Sequence, residues 1–561
     1  MSAPTRWASA ALALAVTAPL VGSGYLLIRD AVSTPRSYLS DGAIGLGEAA
    51  PRAVPQDFAV ASLSAVVDGG IVVKALLIAG LFLAGWGAAR LAGAVLPRAG
   101  IPGQLVAATV AVWNPYVAER LLQGHWSLLV AYGCLPWVAA AVIGLRTDEA
   151  GHFRYWTAVV FWIALAGLTP TGAMLAAVVA LVCVAVPGDG LSRSRCAAGI
   201  AASAAVAAVP WLTASLLGSG LATSQTTGLA AFAPRAEPLL GTLGSLAGLG
   251  GIWNAEAVPH SRTTGLALVG TVLLLMVVAC GVPAVLRART GEPLLALAAF
   301  SVLFSAAMAT GPGLSALKAA VNAAPGLAVL RDGQKWVACA MPGYVIAAAG
   351  AVLLLQRWMR PGLAAVLCCA AVVAALPDLA WGVGGQVRPV HYPAGWQAAA
   401  DRINAGPAAG AVLRADTRRQ FAWAGTAPVL DPVPRWVRAD VLATGDLLVS
   451  GQTVPGEGGR ARAVQKLLES GAAPEAVARA GVGWLLVERG TPGTMGSADR
   501  TLQRLTPVYS DPDIALYRIG GTSQIAAHRI PVIAAHLVWA ITLAAGAVGL
   551  IAARWRRGAH T

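Results

Sequence analysis

The chain has 561 residues, 57% of them hydrophobic and only 12% charged, about half the charged share of an ordinary soluble domain. That balance excludes a soluble globular protein and points to an integral membrane protein. The formal charge of +14 does not indicate a nucleic-acid partner, because the 40 basic residues, all but four of them Arg, gather in short clusters between apolar runs, as orientation signals do.

A membrane-crossing helix needs roughly 20 predominantly apolar residues. Segments meeting or approaching that length lie near 7–28, 70–95, 101–114, 126–145, 154–169, 171–187, 197–218, 264–286, 293–311, 336–356, 362–383 and 530–552, which makes about 12 spans. The first, Trp7 to Ile28, reads as an uncleaved helix: it lacks a small-x-small cleavage site before Asp30 and many spans follow it. Alternate loops carry Arg6, Arg90 and Arg98, Arg146 and Arg154, Arg193 and Arg195, Arg287 and Arg289, Arg357 and Arg360, and Arg554, Arg556 and Arg557. These are expected on the cytoplasmic side, with both termini. The other loops, 29–69, 115–125, 219–263, 312–335 and the polar stretch 384–529, are then extracytoplasmic. The division expected is a bundle over 1–383, a small outer α/β domain over 384–529 and a last span with its tail over 530–561. In the outer domain Gly483–Val487 and Ile514–Ile519 read as strands, and Ala461–Ser470 and Pro474–Ala480 as helices. All seven cysteines fall in or beside apolar segments, so neither a disulfide framework nor a Cys-ligated metal is expected.

Ionisable residues then crowd one face. Asp30, with Arg29, follows the first apolar run directly, and a carboxylate fixed there could act as a general base or bind a divalent metal ion that does the same work. Asp41 is the next choice, whereas Glu48, Asp57 and Asp68 read as ordinary loop acids. Asn114 and Pro115 suit a helix start, and Glu119, Arg120 and Gln123 then share one side of a short amphipathic helix at the membrane interface. Arg120 and His125 could hold an anion, unless Glu119 and Arg120 merely pair. In Leu330-Arg331-Asp332-Gly333-Gln334-Lys335-Trp336, cations sit on the outer face against the orientation rule; Arg331 could grip a phosphate bidentately and Lys335 as a point charge, unless Arg331 simply pairs with Asp332. Thr169-Pro170 reads as a tight turn, and His260 as a weaker candidate ligand. No Walker motif, dinucleotide fingerprint, metal-spaced His/Cys set or nucleophile elbow is present, which argues against ATP-driven transport within the chain.

Arg29-Asp30 with Pro35-Arg36, Pro51 to Pro55, Asn114 to Arg120 with Gly124-His125-Trp126, Leu168 to Gly172, and Leu330 to Trp336 together resemble a family of actinobacterial conserved integral membrane proteins, themselves similar to GT-C-fold glycosyltransferases. The resemblance implies a multi-pass helical membrane protein that takes a sugar, of mannose or arabinose type, from a polyprenyl-phosphate carrier to a lipid or polysaccharide acceptor on the outer face of the cell envelope. It also implies Asp30 as catalytic acid/base, with Arg331, Lys335 and His125 on the carrier phosphate. GT-C first loops often carry paired acids, whereas Arg29 precedes Asp30 here, which weakens the case for a metal. A flippase of lipid-linked intermediates and a non-catalytic envelope assembly protein are the alternatives.

Overall fold

The computed structural model describes residues 3–148, 150–218, 228–406, 410–412, 418–449, 452–492, 495–522 and 526–558. The first apolar run does not form one helix. Helix α1 (Ala3–Thr17) gives way to a 3-10 turn at Ala18–Val21, and strand β1 (Tyr25–Ile28) follows. Pro19 disfavours helix at the residue before it, and Gly24 adopts φ +102°, so the chain leaves the helix and becomes extended. β1 pairs antiparallel with β2 (Ala31–Val32), Ile28 opposite Ala31, so that Arg29 and Asp30 form the hairpin turn. Asp30 is therefore presented by a hairpin and not by the lip of a helix.

Helices α2 (Gln56–Leu63), α3 (Gly69–Val95), α4 (Gly100–Val112), α5 (Pro115–Gln123) and α6 (Trp126–Thr147) come next. Among the described residues, six helices are long and apolar enough to cross a membrane: Gly69–Val95, Trp126–Thr147, Arg193–Leu217, Leu266–Ala288, Gly333–Leu355 and Arg529–Trp555. The number rises to eight if two bent pairs, Glu292–Met308 with Gly311–Ala323 (89°) and Pro361–Ala374 with Pro377–Gly385 (74°), each count as one span. Twelve spans are thus not found. At about 1.5 Å per residue, the 13 residues of α4 reach only about 20 Å. The segments expected at 154–169 and 171–187 are helices of only 15 and 14 residues, His152–Ala166 and Pro170–Cys183, and Thr169 between them accepts the Gly172 amide at 3.0 Å and caps the second.

Between the helix pair ending at Gly385 and the last helix, a five-stranded sheet runs in the order Pro507–Ser510, Ile514–Arg518, Val482–Glu488, Gly410–Val412, Val441–Leu442, antiparallel over the first three strands and parallel over the rest. Helices Gly459–Glu469 and Pro474–Arg479 lie between its strands in sequence. This region shares its core with the hairpin: Leu27 and Val32 are buried with Trp396, Phe421, Val429, Trp436 and Leu486. Strand β3 (Pro389–Val390) pairs with β1, and the Leu430 amide donates to the Arg29 carbonyl at 2.8 Å.

The acids of the 29–69 loop make this junction. Glu48 accepts the Arg460 amide at 2.9 Å at the start of helix Gly459–Glu469, Asp57 pairs with Arg435 at 3.3 Å, and Arg52 pairs with Glu457. Asp68 caps α3 and accepts the Tyr25 hydroxyl at 2.9 Å. These are fixed structural ligands and not solvated loop acids.

Candidate functional site

The site is built on α5. Asn114 caps the helix by accepting the Val117 amide at 3.1 Å, Pro115 fills its first position, and Gly124 ends it with φ +82°. All nine residues of α5 are buried, so the helix is internal and not an interfacial amphipath. The hairpin turn lies directly on its C-terminal end, where a Cβ on Gly124 would meet the Ala31 nitrogen at 2.3 Å and the Ile28 oxygen at 2.4 Å. The carbonyls left over at a helix end find partners in the turn. The Arg29 guanidinium donates to the Leu122 carbonyl at 2.7 Å and to the Glu256 carbonyl at 2.5 Å, and the Asp30 amide donates to the Gln123 carbonyl at 3.1 Å. Arg29 thus clamps the turn to α5 and to the loop around residue 256.

The Asp30 side chain, 25% exposed, meets two donors at Oδ2: Gln123 Nε2 at 2.7 Å and His125 Nε2 at 3.1 Å. The tautomer of His125 follows from its other nitrogen. Nδ1 lies 3.1 Å from Arg120 Nη1, and a guanidinium can only donate, so Nδ1 accepts and Nε2 carries the hydrogen that points at Asp30. Burial pulls the imidazole down to about 4, with Lys335 and Arg120 adding to the effect against Asp30, so the ring is neutral at pH 7.

Behind His125, Arg120 grips both Asp332 oxygens, at 2.9 and 3.0 Å, and also donates to Gln334. Burial pushes the Asp332 carboxyl up, but the Arg120 and Lys335 charges outweigh it and hold the group well below the usual carboxylate range. Lys335 Nζ stands 3.7 Å from Asp332, with Asp30, Arg120 and Arg331 also within electrostatic reach. Arg331 does not pair with Asp332. Its guanidinium rests 4.2 Å from the centre of the Phe232 ring, and Phe232 packs edge-on to Trp253 at 4.8 Å. Among the described residues Arg331 has neither a hydrogen bond nor an ion pair. Burial, with Arg52 next, pulls it down to about 10, against the charges of Glu457, Asp332 and Asp30.

Four of the sequence candidates are therefore linked, Asp30 to His125 to Arg120 and, through Asp332, to Lys335, and Arg331 lies within electrostatic reach of Asp30 and Asp332. Glu119 does not pair with Arg120. It accepts the Gly251 and Ile252 amides and Gln334 Nε2, each at 3.1 Å, and so docks the 249–256 loop. Burial and the charge of Glu237 push its carboxyl up, against Arg262 and Arg120. Asp41 pairs with Arg529 and accepts the Ala526 amide at 3.0 Å, which commits it to the start of the last helix and separates it from Asp30. His260 is exposed on a 3-10 turn and joins none of these contacts. Gln123, Asn254 and Gln334 are site residues that the sequence candidates omit. Gln123 shares a helix face with Glu119 and Arg120, whereas nothing in the sequence signals Asn254.

Among the described residues no three His, Cys, Asp or Glu side chains gather as metal ligands. The donor set around Asp30 does not suit a divalent ion: its neighbours are Arg331 and Lys335, and the nearby carboxylate, Asp332, is held on both oxygens by Arg120.

No family model matches the chain, and no curated protein matches it. Solved structures do. The cryo-EM structure of the arabinofuranosyltransferase AftD from Mycobacteria superposes with a TM-score of 0.56 at 15% identity, over 94% of this chain and 40% of that one. A mutant of the same enzyme gives 0.54 at 15% identity over 93% of this chain. The chain spans about two-fifths of the length of the enzyme it resembles. With its candidate spans, this makes it a membrane protein that shares the fold of that part of the enzyme.

Proposed function

We propose that the chain is a cell-envelope glycosyltransferase that moves a sugar from a polyprenyl-phosphate carrier to a glycan or lipid acceptor at the extracytoplasmic face of the membrane. The Arg29-Asp30 turn, the 249–256 loop and the region 384–529 are assigned to that face, and both termini to the cytoplasm. The observation that carries the reading is the Asp30 carboxylate, held by two neutral donors beside two cations, Arg331 and Lys335.

In the step, the acceptor oxygen attacks the anomeric carbon and its proton passes to Asp30. The bond from that carbon to the phosphate oxygen breaks, and its electron pair leaves on the carrier phosphate. Arg331 and Lys335 face the resulting charge at the edge of the membrane, where reduced dielectric strengthens the attraction. Arg331 lies half-exposed on Phe232 with no ion partner among the described residues, so its guanidinium is open to an arriving anion, which is the reason to assign the phosphate to it. His125, neutral and donating to Asp30, belongs to the base and not to the phosphate. Arg120 and Glu119 build the site without touching substrate. Arabinose is the first donor to test and mannose the second.

Membranes containing the full chain, given a short-chain polyprenyl phosphate carrying radiolabelled arabinose or mannose, test the reading. Asp30→Asn should abolish transfer while the protein still inserts and elutes as a folded species. Lys335→Met should raise KM for the donor about tenfold or more. Full transfer by Asp30→Asn would show that Asp30 is not the base.

A further inference from the structure

Gln123 is fully buried at the end of α5, and its amide is bonded at both ends. Asn254 Nδ2 donates to Gln123 Oε1 at 2.8 Å, while Gln123 Nε2 donates to Asp30 Oδ2 at 2.7 Å. An amide can be turned end for end, so its orientation has to come from somewhere. Here it comes from Asn254, whose own Oδ1 accepts the Glu256 amide at 3.1 Å. A backbone N–H can only donate, so the Asn254 oxygen faces Glu256, its NH2 group faces Gln123, and the Gln123 NH2 group must face Asp30. The same reasoning fixes His125 through Arg120. Asp30 Oδ2 therefore meets two neutral donors, each with its polarity dictated from behind.

The loop that supplies Asn254 supports the other half of the site as well. It is docked on α5 through Glu119, and its Trp253 packs on Phe232, the ring beneath Arg331. One short segment thus sets both the carboxylate and the cation it faces.

We propose that Gln123, oriented by Asn254, is a positioning residue that fixes the Asp30 carboxylate for proton transfer and ties its placement to the docked 251–256 loop. This rests on Asp30 being the base. Gln123 touches neither substrate nor reacting atom and acts only through Asp30. Among the described residues, the ionisable groups within electrostatic reach of Asp30 include His125, Arg331 and Lys335.

The test uses the full chain in detergent with two readouts. The first needs no turnover: a carbodiimide labels protonated carboxyls, and mass spectrometry of the Asp30 peptide across pH gives a labelling midpoint, with Asp30→Asn as blank. Gln123→Glu places a second carboxylate where the donor was, so the midpoint should move up by about one unit or more. Gln123→Met removes the donor without adding charge and should move it up by less. The second readout is transfer from the labelled polyprenyl-phosphate arabinose or mannose. In both variants kcat should fall about 100-fold, with donor KM changed less than about threefold, because the base is misplaced and the phosphate site is not. A midpoint that stays in place in Gln123→Glu overturns the inference; if that variant does not fold, an unchanged midpoint in Gln123→Met overturns it. Full transfer by Asp30→Asn overturns instead the reading of Asp30 as base.

Discussion

Arg120→Leu is the perturbation whose cost can be worked out most fully. The guanidinium is completely buried and holds both oxygens of Asp332, itself only 6% exposed, at 2.9 and 3.0 Å. Removing one partner of a buried pair costs about 3–5 kcal/mol, mostly because the other charge is left in low dielectric. Lys335, at 3.7 Å and 25% exposed, stays behind as a partial partner, which argues for the lower end, about 3 kcal/mol. Gln334 Oε1 and His125 Nδ1 also lose their donor, at about 1 kcal/mol each, so the expected total is about 5 kcal/mol. Arg120→Leu combined with Asp332→Leu removes both charges and should recover about 3 kcal/mol of that, a coupling far above the roughly 0.5 kcal/mol scatter of independent sites. Guanidinium unfolding in mild detergent, followed by tryptophan fluorescence, measures all four corners of the cycle. If the double variant is as unstable as the two single losses added together, the Arg120–Asp332 pair does not support the site and the cost assigned to it is wrong.

Gly124→Ala should lose most folded protein, because its Cβ would enter the hairpin backbone and φ +82° costs a non-glycine residue about 1–2 kcal/mol before any clash; the monodisperse fraction on gel filtration checks this. His125 is held down to about 4 in the folded chain against about 6.5 unfolded, so the unfolded state binds the extra proton first and stability falls as pH drops from about 6.5 to about 4. That fall, up to about 3 kcal/mol from this group, should be flattened in His125→Gln, as unfolding at pH 7 and pH 4.5 would reveal. Arg529→Leu leaves Asp41, which is near the surface, without its ion partner and should cost only about 1 kcal/mol, with donor KM unchanged. A large rise in KM there would return Asp41 to the site.

Several site residues were legible because membrane insertion makes charge expensive. Asp30, His125, Arg331 and Lys335 stand out in an apolar chain, where a charge needs a partner or a function. Their individual roles were not legible. Arg120 and Asp332 are separated by 212 positions, and Gln123 and Asn254 by 131, so no local pattern could choose these partners over the adjacent Glu119 or Arg331. The sequence set Asp41 apart from Glu48 and Asp57, yet the folded chain gives all three structural partners, Arg529, the Arg460 amide and Arg435.

By itself the sequence determined that the chain enters a membrane, since burying this much apolar surface while avoiding charge leaves no soluble solution. It also determined the local punctuation: the Asn114 cap, the Gly124 stop and the Thr169 turn are short-range hydrogen-bonding choices available to the chain alone. The tertiary structure decided that Tyr25–Ile28 is a strand and not the end of a helix, because β3, more than 360 residues away, is there to pair with it. It likewise decided which charges are spent on holding the fold and which face the site. A side chain's electrostatic role depends on what lies within a few ångströms of it, and in this chain those neighbours come from segments 93 to 212 residues apart.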